Sequence, residues 1–517
     1  MAASPASIVH AVVEGYATPT SVRPGDTVRL HCSATVPEVT IEIARVGARR
    51  DVVFRRERVA VRHHAIPDDA SAAGCGWPAA LSIPVEPGWR SGYYEIVFSA
   101  ADVDPAIATS HAYFVVRALH PGRDTPIVLA LATTTWCAYN DWGGPNLYMA
   151  ASRVAFDRPL PKGFLERPAA PNDRLANAVM PGDRDMTGWL DYFVRHGVDP
   201  WCGAAGWFNW ERRFVAWAEA AGHRIDYATS LDLHERPDAL DGYRLYVSVG
   251  HDEYWSWAMR DTVEGFVARG GNAAFFSGNT AFWQVRVEDG AMVCWKDRAP
   301  ALDPVVGTAD ERRMSGLWSH PIIGRPENEL TGVTFARAGY ARAGGAAPAG
   351  TGGYTVHRPE HWVFEGTELR YGDILGAAPV VVGYETDGCA LRMVDGLPVP
   401  THEDGTPRSF VVLATSPARL WSNSLSDSDV PALMRPGVYM ADADGNVPAE
   451  LEVVAAQIGG DLRPETLARF AHGHCVMGTF ERGGTVFTTG CTDWAYGLGR
   501  DPQVDRVTEN LLARLSR

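Results

Sequence analysis

The chain has 517 residues, 46% hydrophobic and 21% charged, an ordinary globular balance over a length that calls for two or three domains. Its net charge of −15 argues against binding nucleic acid or an anionic membrane, because attraction to phosphate needs a basic surface. Only two lysines occur, Lys162 and Lys296, and neither follows a GxxxxG loop, so a Walker-type nucleotide site is excluded.

The first residues, Met1 to Val13, lack a basic segment followed by an apolar stretch, and no apolar run is long enough to span a bilayer. A cytoplasmic location is the expectation. Residues 8–118 then read as a series of short strands. "SIVHAVVEGYA", "DTVRLHCSATV", "VTIEIARVG", "DVVFRRERVAV", "AALSIPVE", "GYYEIVFSA" and "SHAYFVVRA" alternate apolar and polar residues between Gly, Pro and Asp turns. That pattern predicts an immunoglobulin-like β-sandwich over residues 1–118, structural rather than catalytic, with "LHPGRDTP" (119–126) as linker.

From residue 127 the pattern changes. "IVLALAT" (127–133), "YRLYVSVG" (243–250) and "NAAFFSGN" (272–279) are continuous apolar runs of the kind buried on both faces of a parallel sheet. "NWERRFVAWAEAAG" (209–222) and about 254–269 read as helices, each closing on glycine, and "HRIDYAT" reads as a strand. Strands alternating with helices predict an α/β catalytic domain over 127–517 built on a Rossmann-like, glutamine-amidotransferase-like parallel sheet. An irregular β-rich region occupies about 287–405, and "DRVTENLLARLSR" forms a closing helix. No GxGxxG follows the first strand, so dinucleotide binding is unsupported. Eight cysteines without a CxxC pair argue against a structural zinc knuckle and a disulfide-dense scaffold.

In open α/β sheets ligands gather beyond the carboxyl ends of the strands. Three polar clusters fall there: "TTTWCAYNDWGGPNLY" with Tyr139 and Tyr148, "HDEY" with His251 and Glu253, and "SGNTAFW" with Asn279. A carboxylate and two phenols are hard oxygen ligands. A phenol ionises near pKa ~10, so a phenolate at neutral pH calls for a strong cation, a trivalent metal being the natural partner. Against this stands the ordinary reading, in which a strand-end tyrosine packs or bonds to backbone and Asn279 caps the next segment. On that reading the chain is a non-catalytic binding or scaffold protein whose β-sandwich supplies the interaction surface. A cysteine-nucleophile hydrolase is disfavoured, because "GHDEY" places no Cys or Ser at the strand-to-helix turn. "HGHC" (His472, His474, Cys475) lacks a fourth zinc ligand and reads as an ordinary loop.

Five motifs taken together, "TTTWCAYNDWGGPNLY", "VSVGHDEYWSWAMRD", "FFSGNTAFWQVR", "GYTVHRPEHWVFEGTELRYGD" and "GTVFTTGCTDWAYGL", resemble the catalytic large subunit of bacterial N,N-dimethylformamidase and its C-terminal-domain relatives. The resemblance runs over about residues 10–517, the second and third motifs being the most specific. It implies a mononuclear, non-haem ferric ion (Fe3+) held by Tyr139, Tyr148 and Glu253 and used to hydrolyse the C–N bond of a small amide such as an N-alkylformamide. His251 would then be an acid/base group beside the metal, and Asn279 a polar substrate contact able to hold a developing oxyanion. Trp136, Trp142 and Trp283 would line the pocket. The resemblance also implies a small partner subunit, and a homo-oligomer is expected. The family's lectin-like N-terminal domain has no counterpart in these residues. The segment around the two tyrosines departs from the family in length, which leaves Tyr148 the softest of the three matches.

Overall fold

The computed structural model describes residues 12–168, 192–342, 350–422 and 449–517. The start of the first expected strand (7–11) and the middle of the Gly/Ala-rich stretch (343–349) lie outside the described residues.

Near the N-terminus the alternating patterns become two antiparallel-rich sheets. Val13–Thr18, Thr27–Ala34 and Ala79–Pro84 form one; Ser21–Val22, Glu38–Val46, Arg50–Ala60, Gly92–Ser99 and Thr109–Val116 form the other. Period-2 alternation sends Val28 and Leu30 of the first and Ile41, Ile43, Phe98 and Phe114 of the second into one shared core. This layer is pinned to the rest of the chain by Tyr93, which stacks on Trp207 at 4.0 Å between ring centroids. Arg45 adds a forked pair of bonds to Glu219, at 2.5 and 3.2 Å.

The remainder is organised on a nine-stranded sheet. Its strands, in chain order, are β1 (Ile127–Leu131), β2 (Asp226–Thr229), β3 (Leu245–His251), β4 (Asn272–Gly278), β5 (Tyr354–Val356), β6 (Ile374–Leu375), β7 (Val411–Ala418), β8 (Gly473–Arg482) and β9 (Gly484–Thr488). Their spatial order is β2-β1-β3-β4-β9-β8-β7-β5-β6. The four ladders from β2 to β9 are parallel, and the four from β9 to β6 are antiparallel. Helices α1 (Thr133–Tyr139), α2 (Glu211–Ala220), α3 (Trp257–Ala268) and α4 (Pro502–Leu515) pack around it.

This corrects the expected fold class. The described residues are mostly strands in several mixed sheets with comparatively little helix, and do not support a Rossmann-like, glutamine-amidotransferase-like parallel α/β domain. The physical reason is that a continuous apolar run reports burial on both faces and says nothing about strand direction. Strand β8 is buried over most of its length, yet it reaches β9 through a tight turn at Gly483, which forces an antiparallel pair. The region 287–405 is tied into the same sheet. It supplies β5 and β6 to the sheet edge, and its strand Thr334–Tyr340 pairs with Glu385–Gly388.

Among the described residues no helix is long and apolar enough to cross a membrane. All eight cysteines are buried and free.

Candidate active site

Helix α1 starts directly beyond β1, where the sequence showed only a polar cluster; its three β-branched threonines mask helical propensity. Tyr139 closes this helix, and the turn after it is fixed by Asn146, whose side chain donates to the Tyr139 carbonyl and accepts from Tyr148 N–H. That fold-back brings the two phenols side by side, with oxygens 2.6 Å apart and rings stacked at 4.4 Å.

Strand β3 delivers the second contribution. Gly250 has φ +80°, and a Cβ there would lie 2.5 Å from Trp210 Cβ, so only glycine permits the strand to pass. His251 follows, then Glu253, whose backbone N–H donates to Thr135 Oγ1 on α1 at 2.9 Å. Beyond β4, Asn279 and Ala281 adopt left-handed φ of +50° and +55°. This turn is held because Asp387 Oδ2 accepts from Thr280 N–H at 3.1 Å.

The five residues singled out in the sequence meet. Tyr139 OH donates to Glu253 at 3.0 Å, and Tyr148 OH lies 2.9 and 3.0 Å from its two carboxylate oxygens. His251 Nε2 is 3.2 Å from Glu253 Oε2, and Asn279 Nδ2 lies 3.4 Å from the same ring nitrogen. Tyr139, His251, Glu253 and Asn279 are each no more than 3% exposed. Of the three tryptophans, Trp283 joins the site by donating Nε1–H to Glu253 at 2.8 Å. Trp136 instead bonds Glu211, and Trp142 packs against Trp77.

Several residues of the site carried no local sequence signal. Glu385 lies 2.6 Å from His251 Nε2 and accepts from Asn279 Nδ2 at 3.0 Å. It comes from the short strand Glu385–Gly388, brought close because Gly278 has no side chain: a Cβ there would sit 2.6 Å from the Glu385 carbonyl oxygen. Lys296, one of the two lysines, lays its ammonium 3.1 Å from the Tyr148 ring centroid and 5.1 Å from that of Trp283. Its rarity was the one signal available. Tyr254 donates to Tyr148 at 2.9 Å, and Trp201 packs 5.4 Å from the Tyr148 ring.

The electrostatics follow from burial. Burial first, then the Glu253 carboxylate, pushes both phenols well above their ordinary range, so without a cation they stay protonated. Burial disfavours the His251 cation, but Glu385 and Glu253 outweigh it and hold its pKa well above the usual imidazole value. Glu253 shows the reverse balance: burial raises it, and His251 with Lys296 and Tyr148 brings it below the ordinary carboxylate range. His251 Nδ1 lies 2.7 Å from the Ala204 carbonyl and donates to it, which leaves Nε2 as the proton-carrying face.

Two phenols and one carboxylate thus converge from α1, its following turn and β3. Deprotonated, they carry three negative charges, the number that neutralises a trivalent ion in a buried site. Among the described residues no group of three His, Cys, Asp or Glu side chains is arranged to hold a metal, so a metal here depends on the phenols. At "HGHC", His472 and His474 are exposed whereas Cys475 is buried against the Gly490 carbonyl and Tyr354, so the three do not converge.

Comparison with known proteins gives a family model described as N,N-dimethylformamidase beta subunit-like, C-terminal, which matches residues 40–506. The N,N-dimethylformamidase beta subunit of Alcaligenes sp is 26% identical over 217 residues, 39% of this chain and 26% of that protein. The protein of the same name from Paracoccus aminophilus is 25% identical over 217 residues with the same coverage. The matched stretch therefore spans about a quarter of the length of these relatives. Among solved structures, domain 1 of VCBP3 from Branchiostoma floridae is 17% identical, covering 21% of this chain and 96% of its own, with a TM-score of 0.15, too low to carry an argument.

Proposed function

The chain belongs to the N,N-dimethylformamidase beta subunit-like family, and from that premise we propose that it is an amide hydrolase in which Tyr139, Tyr148 and Glu253 hold a mononuclear ferric ion. The observation that carries this is the meeting of two phenol oxygens and a carboxylate within 3.0 Å of one another in a buried site. When bound, such an ion supplies Lewis acidity toward an amide carbonyl and toward water.

The chain's own groups do the rest. Trp283 Nε1–H and the Thr135 hydroxyl fix Glu253, and Asn146 fixes the two tyrosines, so the oxygens are held before any ligand arrives. His251, anchored through Nδ1 to Ala204, stores a proton on Nε2 between Glu253 and Glu385. We assign it the transfer of that proton to the leaving amine nitrogen, without which a C–N bond breaks poorly at neutral pH. Trp201, Trp210 and Tyr384 surround the pair and exclude bulk water. The substrate that suits so closed a site is a small amide. Because the named relatives are beta subunits, a second kind of subunit is proposed as partner, checked by the mass of the native assembly.

Elemental analysis and a visible spectrum of the purified chain, with turnover of small formamides, test the reading. A tyrosinate–ferric charge-transfer band with one iron per chain is expected. Glu253→Gln should lose band, iron and turnover together, and Tyr139→Phe should weaken all three, whereas His251→Ala should keep the first two. An iron-free, colourless protein that hydrolyses amides refutes the ferric assignment, and a chain that hydrolyses none refutes the enzyme.

A further inference from the structure

Behind the helix that carries Tyr139 lies a cavity that the amide site does not use. Its volume is about 40 Å³, room for about three waters or three non-hydrogen atoms. Thr133, Trp136 and Cys137 line it from α1, and Tyr16 and Tyr113 line it from the N-terminal sheets. Positions 133, 136 and 137 share one face of the helix, whereas Thr135 and Tyr139, which meet Glu253, lie on the opposite one. The two sites therefore stand back to back across α1. Thr20, Phe156 and Leu160, each half-buried, form the rim on the solvent side.

The cavity wall holds a cation without a counter-charge. Arg158 is 2% exposed; it gives Nε–H to the Ala155 carbonyl at 3.0 Å and its two terminal nitrogens to the carbonyls of Trp142 and Asn140 at 2.6 and 3.0 Å. A guanidinium has five N–H bonds, so two remain, and the described residues offer them only the Cys137 sulfur, a weak acceptor. Carbonyl dipoles satisfy hydrogen bonds but leave the charge itself buried, which is costly without an anion. Among the described residues no carboxylate pairs with Arg158: Asp141 acts on it only from a distance and is bonded to Asp199. Glu211, bonded to Trp136, is pushed up to about 8 by burial, so it opposes no anion at neutral pH. On the same cavity the Thr133 hydroxyl is buried and has no hydrogen-bond partner. A planar anion with two acceptor oxygens answers both groups, one oxygen toward the guanidinium and the other toward the hydroxyl. We propose that this cavity binds a small carboxylate of about the size of formate, held by Arg158 and Thr133. Phosphate and sulfate exceed the space. Formate is the acid that hydrolysis of a formamide releases, so its choice as natural occupant rests on the amide-hydrolase reading, whereas the carboxylate site itself does not.

Calorimetric titration of the purified full chain with sodium formate, acetate, propionate and chloride, at one ionic strength, tests the assignment. Formate should bind saturably with a dissociation constant on the order of 1 mM, near the limit for so few atoms. Acetate should bind more weakly, and propionate and chloride far more weakly still. Thr133→Val keeps the volume and removes the hydroxyl, so it should weaken formate about tenfold. Leu160→Trp narrows the rim and should block entry without touching Arg158 or Thr133. Glu253→Gln lies beyond the other face of α1 and should keep formate binding. Binding that survives both cavity variants, or that is lost in Glu253→Gln, belongs to the amide site and overturns the inference. Equal uptake of formate and chloride, or of formate and propionate, overturns it as well. Formate binding as expected in a chain that hydrolyses no amide sustains the carboxylate site and refutes the hydrolase, and turnover without formate binding does the reverse.

Discussion

Binding of ferric ion should release two protons from this chain, and its pH dependence measures directly whether the two phenols are ligands. In the metal-free protein burial and Glu253 hold Tyr139 and Tyr148 well above the ordinary phenol range, so both are protonated throughout neutral pH. Glu253 stands below the ordinary carboxylate range and has no proton to give. Each phenolate formed at the metal therefore expels one proton, and affinity rises with pH as ligands must be deprotonated. Two protons mean that the association constant climbs about a hundredfold per pH unit, or about 2.7 kcal/mol at about 1.36 kcal/mol per proton. Competition against a ferric chelator of known pH dependence, run between pH 6 and 8, gives the slope. Tyr148→Phe should bind more weakly and lower the slope from two protons to one, and Tyr139→Phe should do the same. A slope near zero in the unaltered chain, or one that neither variant changes, refutes phenolate ligation even where iron binds.

Three further outcomes are expected. Gly278→Ala places a Cβ 2.6 Å from both the Glu385 carbonyl and Thr492 N, so urea titration should show a loss of about 1–3 kcal/mol with turnover falling as Glu385 shifts; an unchanged midpoint and rate would mean that the strand Glu385–Gly388 yields freely. Asp387 is pushed up to about 8, first by burial, so the folded chain keeps a proton there that the unfolded chain has lost above about pH 4. Stability should consequently fall between about pH 4 and 8 by up to about 1.4 kcal/mol per pH unit from this group, and Asp387→Asn, comparing unfolding free energies across that window, should flatten the decline. If the two slopes coincide, Asp387 is ionised in the fold. Arg45→Met strips Glu219 of its forked partner between the N-terminal sheets and α2, which should cost about 3 kcal/mol in thermal or urea unfolding, and a cost under about 0.5 kcal/mol would show that the pair is screened by water.

The sequence made one half of the site legible and hid the other for a physical reason. His251 ends an apolar strand, Glu253 and Asn279 follow one within two residues, and Tyr139 closes the short helix after β1, so the change from buried run to polar cluster marks the sheet edge without any knowledge of strand order. Tyr148 is reached through a fold-back governed by Asn146, a residue whose side-chain bonds replace the secondary structure a pattern search looks for. Glu385 and Lys296 come from a region whose short strands and turns have no periodicity, and their positions depend on contacts more than a hundred residues away in the case of Glu385 and Asn279. The same limitation produced the error in fold class. Apolar runs identified β1, β3 and β4 as buried strands, but the direction of β7, β8 and β5 is set by turns and by pairing partners rather than by composition.

That division bears on how the site works. Tyr139, His251 and Glu253, which were legible, sit on or directly beyond elements that follow the parallel ladders of β1 and β3. The residues that were not legible, Glu385 with Asp387 two positions on, lie on one short strand that grips the left-handed turn carrying Asn279. A change in that strand would leave Tyr139, Tyr148 and Glu253 bonded to one another while moving the His251 proton and the Asn279 carbonyl together. The proposed proton transfer from His251 should therefore be alterable from the strand Glu385–Gly388 without dismantling the oxygen cluster.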